Sequence, residues 1–205
     1  MFVDLIDRLR CPNDHDDSWL VAAASRTENR RLVEAVLGCP VCAAEFAVRD
    51  GAVIFGESGP SAPMPATDDE VMRAAALLHV QERGLYLLDA GWGALVPALL
   101  AMMSAQYLLV DPPPGIVADE GVGILSGVAD RWPLAAASLQ GIALERATPA
   151  RLADAVRVLK PRGRLVAPSS ALVPAGVAEL ARDDRHWVGE KISDVVTLGR
   201  ANRSS

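Results

Sequence analysis

Three cysteines and their neighbours carry the plainest chemistry in this sequence. Cys11 opens CPNDHDD, and Cys39 and Cys42 stand in GCPVC. Two thiolates three residues apart can share one tetrahedral ion, and zinc accepts sulfur, imidazole and carboxylate donors in that geometry. A full set of two C-x-x-C pairs would need a cysteine at position 14, where the chain has Asp14 followed by His15. Asp14 and His15 therefore compete as fourth ligand beside Cys11, Cys39 and Cys42. The plainer alternative is a group of reduced, buried cysteines without metal. An odd number of cysteines suits reduced thiols or metal better than a disulfide framework.

A second stretch, LLDAGWGALVPALLA at 87–101, reads as a buried strand, a glycine turn and a helix. Glycines there let backbone N–H groups approach a ligand, and the following helix adds positive potential. Asp89 ends this strand and Asp111 ends the next, YLLVD. A carboxylate at the second position can accept hydrogen bonds from both hydroxyls of a ribose. Gly91 and Gly93 keep the turn open, but Trp92 lies between them and Leu95 stands where a third glycine is expected. The expectation is that Trp92 or Leu95 fills part of the cleft. The bland reading of Trp92 is a core side chain pointing away from it.

The elements around these residues fall into two groups. Residues 1–56 hold an amphipathic opening (FVDLIDRLR), strands in WLVAAAS and RRLVEAVLG flanking the turn RTENR, the knuckle, and a hairpin ending in AVIFG. Residues 57–67 are rich in Pro, Ser and small side chains, which marks a linker. TDDE then starts a helix with acids at the positive end of its dipole. From 68 to 205 helices alternate with buried strands, the pattern of a parallel sheet covered on both faces. AGVAELARDD reads as another helix, and HWVGEKI and DVVTLGR as two closing antiparallel strands. PPPGIVADEGVG leaves little room for a helix between Asp111 and Val128.

Half of the 205 residues are hydrophobic (51%) and 22% are charged, enough apolar material for a core and unlike a disordered chain. A net charge of -6 argues against a mainly electrostatic nucleic-acid binder. Arg146, Arg151, Arg157, Lys160, Arg162 and Arg164 nonetheless form a basic run, read by default as a solvated face. His79 and His186 read as packing or surface residues. Glu145 and Arg146 sit at a strand's carboxyl end, where such sheets place chemistry, although a solvated pair is the plainer reading. No signal peptide and no apolar run of about 20 residues is present, so no membrane is expected and the location is read as cytoplasmic.

LLDAGWGAL, VDPPP, ADRWPLAAASLQGIAL and DAVRVLKPRGRLV, in that order, resemble the motifs of class I S-adenosylmethionine-dependent methyltransferases. The resemblance implies an α/β fold: a Rossmann-like doubly wound sheet with an antiparallel last strand. It places Asp89, Gly91 and Gly93 on the glycine motif and Asp111 on the ribose-binding acid. Val128 replaces the acid that contacts adenine, and Leu139 and Gln140 replace a Phe-Asp pair. These departures argue against S-adenosylmethionine as a working cofactor. Residues 5–55 resemble the zinc-ribbon proteins that activate methyltransferases, through LRCP, GCPVC and FAVRDGAVIF. The resemblance implies a small α+β zinc ribbon that docks in cis or recruits an outside enzyme. The resulting expectation is a degenerate methyltransferase-like protein acting as a non-catalytic scaffold or regulatory partner. Its rivals are an active methyltransferase of unknown substrate and a self-associating structural protein, for instance a homodimer.

Overall fold

A computed structural model describes residues 1–59 and 61–192. The strand expected in DVVTLGR lies outside the described residues.

The first half is a run of antiparallel strands. After a short 3-10 turn at Val3–Arg8 come β1 (Val21–Glu28), β2 (Arg31–Gly38), β3 (Glu45–Arg49) and β4 (Ala52–Ile54), each paired antiparallel with the next. β1 and β2 are joined by Asn29 and Arg30, both at positive φ, as a tight hairpin requires. The strands therefore extend further into RTENR than its polarity suggests.

The second half begins with α1 (Asp68–Leu78), whose N-cap Thr67 accepts a hydrogen bond from the Glu70 N–H at 3.3 Å. Its first turn carries Asp68, Asp69 and Glu70, where negative charge meets the positive end of the helix dipole. Then follow β5 (Leu85–Asp89), α2 (Val96–Met102), β6 (Gln106–Val110), β7 (Val122–Ser126), β8 (Leu139–Ala143), α3 (Pro149–Val158) and β9 (Leu159–Pro168). β10 (Val177–Arg182) and β11 (His186–Lys191) complete the described chain. No helix forms between β6 and β7, where the prolines stand.

The sheet is continuous over eleven strands, in the order β1-β2-β3-β4-β7-β6-β5-β8-β9-β11-β10. Its centre, from β4 to β9, is parallel. β11 runs antiparallel to both β9 and β10. The molecule is thus a mixed α/β structure built on one large sheet. Ala52, Val53 and Ile54 of β4 pair with Ile124, Leu125 and Ser126 of β7, so the first half extends the sheet of the second.

Side chains alternate across that sheet. Leu85 and Leu87 face an apolar cluster shared with Met1, Phe2, Leu5, α3 and the β2–β4 strands. Tyr86 and Leu88 face the other side, beneath α1 and α2. Leu5 and Phe2 reach Gly123 on β7, where any Cβ would be crowded at 3.0 and 3.4 Å. Burying Phe2 and Leu5 stabilises this contact by about 2 kcal/mol per side chain.

One expected element is corrected. AGVAELARDD holds a strand, β10, instead of a helix. Its Ala, Glu and Leu are good helix formers, but propensity differences are under about 1 kcal/mol per residue, and pairing with the backbone of β11 outweighs them. Gly176, at φ +86, sets the turn into it. Among the described residues, no helix is long and apolar enough to cross a membrane.

Candidate functional sites

The knuckle brings four ligand atoms together. The donor atoms of Cys11, His15, Cys39 and Cys42 all lie within 4.8 Å of one another, an arrangement that could hold a metal ion. Cys11 Sγ is 3.7 Å from Cys42 Sγ, and Cys39 Sγ is 3.4 Å from His15 Nε2. Tetrahedral zinc with Zn–S near 2.3 Å and Zn–N near 2.0 Å would separate its ligands by roughly 3.5–3.8 Å. The residues present therefore fit zinc. Asp14 is exposed and outside the group, so His15 is the fourth donor that the fold presents.

The surroundings prepare these ligands. His15 Nδ1 is 2.6 Å from the Asp16 carbonyl oxygen, so this nitrogen carries the proton and Nε2 keeps its lone pair towards the sulfurs. That same carbonyl is the main cause of a raised His15 pKa. Burial raises the Cys39 thiol, but backbone N–H groups of Cys42 and Val41 outweigh it and bring the pKa to about 6. Burial pushes the Cys11 thiol up to about 11. Asn13 donates to Cys42 Sγ at 3.4 Å. The Cys42 thiol is lowered, first by the Ala44 N–H and then by Asn13.

The glycine turn is arranged differently. Asp89 and Asp111 end neighbouring parallel strands and are both buried. Arg146 Nη2 bridges them, at 3.1 Å from Asp89 Oδ1 and 3.0 Å from Asp111 Oδ2. Arg151, itself buried, donates to Asp89 Oδ1 at 2.8 Å and lies over the Trp132 ring, its guanidinium carbon 4.4 Å from the centroid. Asp89 Oδ2 also accepts the backbone N–H groups of Glu145 and Arg146 at 3.2 and 3.0 Å. Asp111 Oδ1 accepts the Gly127 N–H at 2.6 Å and the Ser58 hydroxyl at 2.8 Å. Burial pushes the Arg151 pKa down, opposed by Asp89; at Arg146 the two carboxylates overcome burial and raise it.

Residues 56–59 and 61–64 form a strap with contacts at the carboxyl ends of three strands in succession. Gly56 packs on Gly127 after β7, and a Cβ at Gly127 would collide with the Gly56 backbone. Ser58 reaches Asp111 after β6. The Met64 N–H donates to the Gly91 carbonyl after β5 at 3.1 Å. The Gly91 N–H donates to Glu145 Oε2 at 2.7 Å. A Cβ on Gly91 would lie 2.5 Å from the Ala62 carbonyl oxygen, so glycine is required here for the strap to pass.

Trp92 and Leu95 do not stand in this place. Both are buried in the cluster beneath α1 and α2, with Trp92 edge-on to His186 at 5.0 Å. The core reading of Trp92 is the one the fold adopts. Gly93 faces Pro112 and Pro113 instead of open solvent. Val128 is buried, and its carbonyl accepts from Arg151 at 3.3 Å. The side chains that bond to Asp89, Asp111 and Gly91 are Ser58, Glu145, Arg146 and Arg151. Sequence offered a partial signal for one pair only, the position of Glu145 and Arg146 at a strand's carboxyl end.

No family model and no curated protein matches the chain. Among solved structures it is similar to yhhF from Escherichia coli at 13% identity and a TM-score of 0.46, over 69% of this chain and 98% of that one. It is similar to the [4+2]-cyclase SpnF at 12% identity and a TM-score of 0.45, over 61% and 64%. TrmN from Thermus thermophilus gives 15% and 0.43, over 60% and 48%. The chain spans about half the length or less of several others, for example 44% of geranyl diphosphate methyltransferase. Likenesses of this depth say nothing of activity.

Proposed function

We propose that this chain is a methyltransferase-like protein that transfers no methyl group and serves as a scaffold or regulatory partner. The observation that carries the reading is the use of Asp89, Asp111 and Gly91 by the chain itself. Each group that would recognise a nucleoside or its amino-acid tail already has an internal partner of matching chemistry. The Ser58 hydroxyl sits on Asp111 as a ribose hydroxyl would, and the Glu145 carboxylate sits on the Gly91 N–H as a ligand carboxylate would. A ligand must displace these bonds, and losing a hydrogen bond to a charged group costs about 1.5–3 kcal/mol. Two or three such losses reduce affinity by about a hundredfold or more.

The strand order supports the fold side of the reading. β7-β6-β5-β8-β9 is the order 3-2-1-4-5 of a doubly wound nucleotide-binding sheet, with β11 inserted antiparallel between β9 and β10. The ribbon-like first half uses β4 and its apolar underside on β7 and Gly123. Those surfaces are spent in cis, so an outside partner would dock elsewhere on the molecule.

Isothermal titration with S-adenosylmethionine tests the proposal. No saturable binding up to about 1 mM is expected for the intact chain. Low-micromolar binding, or turnover in a labelled-methyl assay, would overturn it in favour of an active enzyme. Co-purification of a methyltransferase supports the partner role. A stable dimer with neither property favours self-association.

A further inference from the structure

At the amino ends of the parallel strands, opposite the closed cleft, lies a cavity of about 280 Å³. It is built on an irregularity in β9. Leu139 pairs with Leu159 and Gly141 with Arg164, so residues 160–163 loop out opposite the single residue Gln140. Arg162, at φ 63, adopts the left-handed conformation that the loop needs. Strained loops of this kind are held by their surroundings and tend to occur at binding sites.

The lining is positively charged in a chain whose net charge is -6. Lys160, Arg162 and Arg164 face the cavity with one carboxylate, Glu190, which is 3.7 Å from Arg162 and 3.6 Å from Arg164. Among the described residues no carboxylate comes within 4 Å of the Lys160 ammonium, and burial together with nearby Arg8 makes its charge costly. Among the described residues Arg8 also has no acidic partner, and it donates to the Ser138 carbonyl. Gln140 adds a directed donor. Its Oε1 accepts the Leu85 N–H at 3.1 Å, which leaves its NH2 for a ligand. Pro161 supplies an apolar wall, and the buried Leu78 and Tyr86 form the core behind it.

Three cations against one carboxylate, an oriented amide and an apolar wall suit a dianion with a small hydrophobic part. We propose that this cavity binds a small phosphomonoester, its phosphate on Lys160, Arg162 and the Gln140 amide and its organic group against Pro161. Arginine and lysine are the usual partners of phosphate oxygens. The volume admits a ligand of about a dozen heavy atoms and excludes a dinucleotide.

Phenyl phosphate is the probe, titrated into the full chain by calorimetry at low salt. Saturable one-site binding is expected, with Lys160→Ala weaker by about tenfold or more. Glu190→Gln removes the competing carboxylate and is expected to tighten binding several-fold, a gain that a misfolded variant cannot imitate. Arg146→Ala, which disturbs the opposite edge, is expected to leave the affinity unchanged, so this inference and the closed-cleft reading fail separately. No saturation by about 10 mM, or identical affinities for the Lys160 and Glu190 variants, would overturn the proposal. So would binding of a single-stranded RNA oligonucleotide that phenyl phosphate does not displace, since that would indicate a basic surface in place of a cavity.

Discussion

The two sites inferred from residue type end in opposite states. At the knuckle, the donor atoms of Cys11, His15, Cys39 and Cys42 converge within 4.8 Å of one another, close enough to hold an ion, and the Asp16 carbonyl orients His15 from outside the group. At the glycine turn, the hydrogen-bonding capacity of Asp89, Asp111 and Gly91 is met by Arg146, Arg151, Glu145 and Ser58. Having the right residue at a position therefore gives only half of a site. The other half is whether the fold leaves its lone pairs and N–H groups free.

The largest expected effect tests the first member of this contrast. Elemental analysis of the purified chain should give about one zinc per molecule, lost in Cys39→Ser. That variant is expected to lose several kcal/mol, a fall of roughly 10 °C or more in melting temperature. Metal-free protein of unchanged stability would make the two regions alike, each an arrangement without a ligand.

Arg151→Ala tests the second member. It removes a buried partner from buried Asp89 and strips the cover from Trp132. Breaking such a pair costs about 3–5 kcal/mol. Urea unfolding would measure it, and a loss below about 1 kcal/mol would mean that the cluster does not hold the strand ends together. Ser58→Ala should have the smallest effect, about 1.5 kcal/mol, because the hydroxyl makes a single, part-buried bond to Asp111. Its sharper readout is limited proteolysis within residues 57–67. Faster cleavage than in the parent chain is expected, and an unchanged rate would show that Ser58 does not fasten the strap.

Much of this architecture was readable in the residues. The alternation from 68 onward located α1, β5, α2, β6, α3 and β9, because buried parallel strands and amphipathic helices differ in period. Thr67 and the acids after it marked the helix start. Cysteine spacing located the knuckle but left Asp14 and His15 equal, since only the local turn decides which donor faces inward. β10 was missed because helix propensity is a local quantity and strand pairing is not. The contacts at the strand ends were not legible. Trp92 and Leu95 stood out by type, but the pairs formed there, such as Arg146 with Asp111 and Ser58 with Asp111, are far apart in sequence and without periodicity. A linker's composition tells that it builds no core, not where it lies.

The parallel seam between β4 and β7 joins strands roughly seventy residues apart in the chain. During synthesis β4 leaves the ribosome long before β7 exists, so the edge of the early strands and the side chains of Phe2 and Leu5 must wait uncovered. The two halves consequently mature as one cooperative unit, and a nascent chain arrested before β7 would be a prime client for chaperones.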